Sequence, residues 1–155
     1  MFPWAAAVAA LAQLDVDVIG TTGPRVDPAF LGVLPSNVRV ERFVPQHLIL
    51  ERAAVVMSHA GAGSVLGAAA RGLPQVVFPL RADQWENADA ATAAGIAITL
   101  ELEHRAEEDI GVALDRVMHD TQFAQSTIRV AAEIAAMHSP ADHVATIEAL
   151  ANISD

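Results

Sequence analysis

Between Ala54 and Arg71 an apolar run passes through a short polar turn into a helix pattern, and few folds accommodate that order. Ala54–Met57 has the make-up of a buried strand, Ser58–Gly63 carries two glycines, and Ser64–Arg71 reads as a helix. Gly61 and Gly63 allow a tight turn and a close approach of backbone to ligand. The first amides of a helix lack internal acceptors, and the helix dipole favours negative charge at that end. The stretch predicts an anion site, a phosphate cradle, with His59 at the carboxyl end of its strand. The same residues would also make a plain tight loop, since the third glycine of the dinucleotide fingerprint is absent.

The rest of the sequence supplies more units of the same kind. Pro3 to Leu14 reads as a helix opened by proline, with Trp4, Val8, Leu11 and Leu14 at helical steps. Val16–Thr22 reads as a strand, Pro24–Asn37 as a loop folded onto the body, Val38–Val44 as a half-exposed strand and Gln46–Glu51 as a single helical turn. Gly72-Leu73-Pro74 ends the helix after the cradle. Strands follow at Gln75–Phe78 and Ile96–Leu100, with a helix from Trp85 to Ala94 between them, closed by Gly95. Helices are expected at Glu107–Met118, Thr121–Ala136 and Pro140–Asn152, the last with Ser139 as its cap. Short Val/Ile-rich strands alternating with helices predict an α/β fold, a Rossmann-like parallel sheet with helices on both faces. The polar and glycine residues then collect at one edge of that sheet: Thr22-Gly23, Phe43–Gln46, Ser58–Ser64 and Pro79–Gln84.

Composition narrows the ligands. At 155 residues the chain is one domain, and with 53% hydrophobic and 18% charged residues it is globular. Its net charge of −10 argues against nucleic acid and against an anionic membrane surface as partners. A phosphate remains compatible, because backbone amides act locally. There is no cysteine, which fits a cytoplasmic protein, and Phe2–Leu14 is too short to span a bilayer.

Three ordered stretches carry a resemblance: Arg42-Phe-Val-Pro-Gln46, Ser58-His-Ala-Gly-Ala-Gly-Ser64 and Arg81-Ala-Asp-Gln-Trp-Glu-Asn87, with Arg71-Gly-Leu-Pro-Gln-Val-Val-Phe-Pro79 between the last two. Together they resemble the carboxyl-terminal, donor-binding half of a GT-B glycosyltransferase. The nearest likeness is to the UDP-glycosyltransferase-like enzymes that glycosylate antibiotics, macrolides among them, and other small molecules. The resemblance implies that Phe43 lies against the nucleotide base and that the Val44 backbone bonds the base edge. Gln46 would bond the ribose. His59 would donate to the diphosphate and stabilise the leaving group, and Gly61, Ala62, Gly63 and Ser64 would hold phosphate oxygens. Asp83 and Gln84 would take the sugar hydroxyls. The substrate would be a UDP-sugar or a dTDP-sugar, with no cofactor and no metal ion.

The residue types leave other uses open. Phe43 also suits core packing at a strand end, Gln46 a helix cap or surface amide, His59 a buried histidine bonded to backbone, and Asp83 an N-cap. Glu86 and Asn87 read as helix surface, as does Trp85 unless it packs beneath the loop. His47, His104, His119, His138 and His143 read as surface or helix-end residues. Ala60 stands where the family often has glycine, at little cost if its φ is negative. Gly67 stands where many members have a ribose-binding glutamate, which leaves more of that work to Gln46.

The resemblance also implies that the first strand of the half-domain and the whole acceptor domain are missing. The acceptor's histidine base would belong to that domain, so residues 1–155 would be one half-domain, inactive alone and without a catalytic base. The acceptor domain would be supplied in cis or in trans, and unpaired strand edges could instead favour a homodimer. The alternatives are the donor-binding subunit of a split glycosyltransferase and a non-catalytic α/β interaction module.

Overall fold

The structure is a computed structural model describing residues 2–101 and 103–151. Its five strands are short and all parallel. β1 (Val18–Thr21) pairs with β2 (Val38–Glu41), from Val18 opposite Val38 to Thr21 opposite Glu41. β3 (Val56–Ser58), β4 (Gln75–Val77) and β5 (Ala97–Thr99) form a second sheet with β4 in the middle. The helices are α1 (Trp4–Ala12), α2 (Gln46–Leu50), α3 (Ala62–Ala69), α4 (Gln84–Ala93), α5 (Glu107–His119), α6 (Thr121–Ala135) and α7 (Val144–Ala151). Among the described residues no helix is long and apolar enough to cross a membrane.

β4 sorts the helices into two layers, because successive side chains on a strand point to opposite faces. Val76 joins a cluster with Phe78, Leu100, Ala7 and Ala10 of α1, and Ile110, Ala113, Leu114 and Val117 of α5. Val77 joins the opposite cluster with Val65 and Ala69 of α3, Ala88 and Ala91 of α4, and Ala97. α6 closes that side with Val130 and Ile134. Burial on both faces explains why β4 is an unbroken apolar run after Gln75. Gln75, wholly buried, donates from Nε2 to the Val65 carbonyl at 3.3 Å and so ties α3 to the sheet.

The expected single sheet is divided. Among the described residues, β1 and β3 each keep one edge without a strand partner. α1 covers both pieces: its alanines pack into the first cluster, while Trp4 lies 3.3 Å from where a Cβ on Gly20 of β1 would stand. Asn37 Nδ2 holds the far end of this helix, within 3.0–3.3 Å of the Leu11, Leu14 and Val16 carbonyls.

Several boundaries differ from expectation. β2 stops at Glu41, freeing Arg42–Pro45 as a loop. The 24–37 segment folds around a 3-10 turn, Pro28–Leu31, capped by Asp27, and Phe30 meets Trp4 edge-on; Val33 is fully exposed. Ser139 caps a 3-10 turn, Pro140–His143, and not α7 directly; Asn152, the expected last residue of that helix, lies outside the described residues. Gly72 and Gly95 end α3 and α4 at φ +66° and +74°, as their sequence positions predict.

Leu114 is wholly buried beneath α1 and Val112 is exposed on the same helix. Leu114→Ala is expected to cost about 3 kcal/mol in a urea titration and Val112→Ala less than about 0.5 kcal/mol.

Candidate functional site

The carboxyl ends of the strands are shaped first by the turn after β3. The Ser58 carbonyl accepts the Phe78 amide at 2.9 Å, and its Oγ accepts the Ala60 amide at 3.2 Å. Ala60 then takes φ +62°, so the condition under which alanine would cost little in place of glycine, a negative angle, is not met. A left-handed alanine costs about 1 kcal/mol; here its methyl is wholly buried in the second cluster, which offsets the strain.

Gly61 has φ −63°, a conformation open to any residue, so its need for glycine is one of space. A Cβ there would lie 2.7 Å from His59 Nε2. The exposed imidazole is thus folded back over Gly61, at the start of α3. That helix begins at Ala62, two residues earlier than expected, so Ala62 and Gly63 belong to its first turn. The Gly61 carbonyl accepts the Ser64 and Val65 amides. The amides of Gly61, Ala62 and Gly63 donate to no group among the described residues, and the space above Gly63 is open. Three free amides, a helix start and an imidazole are the groups an anion would need.

On one side stands the loop after β2. Phe43 is 69% exposed and not packed in the core, which removes one of its open readings. The amide and carbonyl of Val44 bond nothing among the described residues. The Gln46 side chain lies across Gly67, its amide nitrogen 3.5 Å from where a Cβ would stand. A Cβ at position 67 would only touch Gln46 and Leu50 at van der Waals distance, so alanine fits there, and a long side chain such as glutamate would compete with Gln46 for this space.

On the other side stands Leu80–Asp83. Gln84 is nine-tenths buried, and its Oε1 accepts the Leu80 and Arg81 amides at 2.9 and 3.1 Å, bracing the loop from below. Its amide nitrogen has no protein partner among the described residues. Ala82 takes φ +54°. Asp83 does not cap α4; its exposed carboxylate accepts from Asn87 Nδ2 at 3.0 Å. Asn87 is half-buried and not plain helix surface, and its Nδ2 also donates to the Ala60 carbonyl at 3.0 Å. Arg105 supports the edge from behind. Its Nη2 donates to the Pro79 carbonyl at 2.7 Å, its Nε to the Leu100 carbonyl at 3.2 Å, and the guanidinium sits over Phe78. Burial pulls this guanidinium below its ordinary value, partly countered by Glu103.

Sequence reasoning missed Asn87 and Arg105. The i,i+4 spacing of Asp83 and Asn87 was the available signal for the first. Arg105, flanked by Glu101, Glu103, Glu107 and Glu108, reads as a surface charge. His47, His104, His119, His138 and His143 are exposed, and His119 pairs with Asp115 at 3.1 Å. Among the described residues no three acidic or histidine side chains are placed to share a metal ion. A groove of about 270 Å³ between α3, α4 and α6 is lined chiefly by alanine, valine, leucine and isoleucine, and meets this edge at Ala62 and Asn87.

The fold and the edge define a Rossmann-like half-domain whose free amides are flanked by an aromatic and a carboxylate. Residues 5–150 match the family described as erythromycin biosynthesis protein CIII-like, C-terminal domain. The chain is 35% identical over 144 residues to 4'-demethylrebeccamycin synthase of Lentzea aerocolonigenes, covering 93% of this chain and 34% of that protein. It superposes on the calicheamicin glycosyltransferase CalG4 with a TM-score of 0.90 at 28% identity, covering 99% of this chain and 39% of that one. The spinosyn rhamnosyltransferase SpnG, complexed with thymidine diphosphate, gives a TM-score of 0.86 at 34% identity over 95% of this chain and 40% of that one. The chain belongs to the family of erythromycin CIII-like carboxyl-terminal domains, and the solved structures it superposes on are antibiotic-type GT-B glycosyltransferases. It spans about a third of the length of the relatives it matches.

Gly61→Ala is expected to fold with a stability change below about 1 kcal/mol, since the backbone angle suits alanine. The methyl must displace the imidazole, so the His59 ring resonances should shift; an unmoved ring would mean that it does not lie over Gly61.

Proposed function

We propose that this domain binds a nucleoside-diphosphate sugar as the donor half of an inverting glycosyltransferase that passes a hexose to a small, natural-product-like acceptor. The observation that carries the reading is the row of free amides from Gly61 to Gly63 beneath His59, set between Phe43–Gln46 and Asp83. In that order a base would stack on Phe43 with its edge at the Val44 backbone, and the ribose would meet Gln46. The diphosphate would sit on the amides with the Ser64 hydroxyl beside it. The sugar hydroxyls would reach Asp83 and the free amide nitrogen of Gln84.

In the reaction the acceptor oxygen forms a bond to the anomeric carbon as the bond from that carbon to the diphosphate oxygen breaks. The electron pair leaves with the diphosphate. His59, the amides and the helix dipole stabilise that charge, which is electrostatic catalysis by groups already in place. No metal or cofactor enters this scheme, and it would operate in the cytoplasm. The acceptor's proton needs a base, which we assign to an acceptor domain supplied in cis or in trans; residues 1–155 alone would then be inactive. The free edges of β1 and β3 favour a complementing parallel strand between them, because unpaired strand amides invite pairing. Such a strand could come from the same polypeptide, from the partner of a split enzyme, or from a second copy of this chain.

Calorimetry with thymidine diphosphate and uridine diphosphate should give binding by at least one of them. His59→Ala should weaken it about tenfold and Ser64→Ala about threefold, as expected for one charged and one neutral hydrogen bond. A folded chain that binds neither nucleotide at millimolar concentration would replace this reading with a non-catalytic interaction module.

A further inference from the structure

Two non-glycine residues among those described have left-handed backbones, Ala60 and Ala82, one in the turn after β3 and the other in the loop beside it. Such conformations persist where surrounding contacts hold them, and they concentrate at ligand clamps. One side chain reaches both segments. Asn87 Nδ2 has two hydrogens, and it lies 3.0 Å from the Ala60 carbonyl and 3.0 Å from the carboxylate of Asp83, the residue after Ala82. It sits on the first turns of α4, whose neighbour Ala88 is wholly buried against α3, so the amide projects from a fixed base. The peptide whose carbonyl it holds is also the one that sets the Gly61 amide. Rotation of that peptide would turn the first amide of the cradle away from its direction.

We propose that Asn87 is a positioning residue that locks the diphosphate cradle to the sugar-side loop, so that the two halves of the donor site form together. This rests on the donor-site reading above. Both bonds use the donor hydrogens of one nitrogen, so a side chain without them releases both loops at once. With the latch intact, diphosphate on the Gly61–Gly63 amides steadies Ala60, and through Asn87 it steadies the carboxylate of Asp83 where a sugar hydroxyl would arrive. Without it, the base and ribose contacts at Phe43 and Gln46 are untouched, since they lie on other elements.

The test is the ratio of thymidine to thymidine diphosphate dissociation constants, which isolates the diphosphate's share of binding. In this chain Asn87→Ala should lower that ratio about tenfold while the affinity for thymidine stays unchanged. Asn87→Leu, close to asparagine in shape and adjoining the apolar groove between α3, α4 and α6, repeats the comparison if the alanine variant does not fold. A general loosening of the domain would weaken both ligands together and leave the ratio as it was. Amide spectra give a second readout: thymidine diphosphate, which carries no sugar, should shift the Leu80–Asp83 amides in the wild-type chain and leave them unmoved in the variant. An unchanged ratio, or persistent loop shifts, in a variant of a chain that does bind thymidine diphosphate would overturn the latch. A wild-type chain that binds neither thymidine diphosphate nor uridine diphosphate would overturn the donor-site reading itself and the latch with it.

Discussion

The site depends on how the chain leaves β3. Within three residues it must stop pairing as a strand, reverse, and start a helix with its free amides facing outward. Ser58 begins this by holding Phe78 with its carbonyl and Ala60 with its hydroxyl. Ala60 makes the reversal in a left-handed conformation that its buried methyl and the Asn87 bond hold in place. Gly61 leaves room for His59 to fold back over the helix start. Were the Ala60 peptide to rotate, the amide of Gly61 would point elsewhere.

The rest of the fold keeps that turn in register with its neighbours. β4, buried on both faces, fixes β3 on one side and β5 on the other. The loops leaving β4 and β5 are tied by Arg105, which reaches the Pro79 and Leu100 carbonyls at once, and Gln84 ties the amides of Leu80 and Arg81 from beneath. The β1–β2 pair is attached differently. It meets the rest under α1, across a seam where β1 and β3 each leave one edge unpaired among the described residues. The loop carrying Phe43 is therefore anchored through helix packing, with Gln46 against Gly67, whereas the cradle is anchored through the sheet.

Much of this was legible where one residue type can do one thing. Gly72 and Gly95, each followed by a short Val/Ile run, marked the ends of α3 and α4, and a Cβ on Gly95 would also strike Ser126 of α6 at 2.9 Å. The polar and glycine residues gathered at the strand ends as their order predicted. What escaped depended on contacts distant in sequence. The sign of φ at Ala60 is set by Ser58 and by Asn87, twenty-seven positions away, and alanine itself carries no mark of it. Asp83 looked like a cap because it precedes a helix, yet its backbone is already helical and its carboxylate turns to Asn87 instead. Arg105 was invisible because burial of a cation is decided by the carbonyls around it and not by its acidic neighbours in sequence. The early start of α3 followed from the same turn, since Ala62 and Gly63 could join the helix once Gly61 became its cap.

A crystal structure of the chain with a thymidine- or uridine-diphosphate sugar tests the central claim most directly. The diphosphate is predicted within hydrogen-bond distance of the Gly61, Ala62 and Gly63 amides and of His59, with the base against Phe43 and the sugar beside Asp83. A nucleotide sugar lodged in the apolar groove between α3, α4 and α6, with those amides left to water, would contradict it.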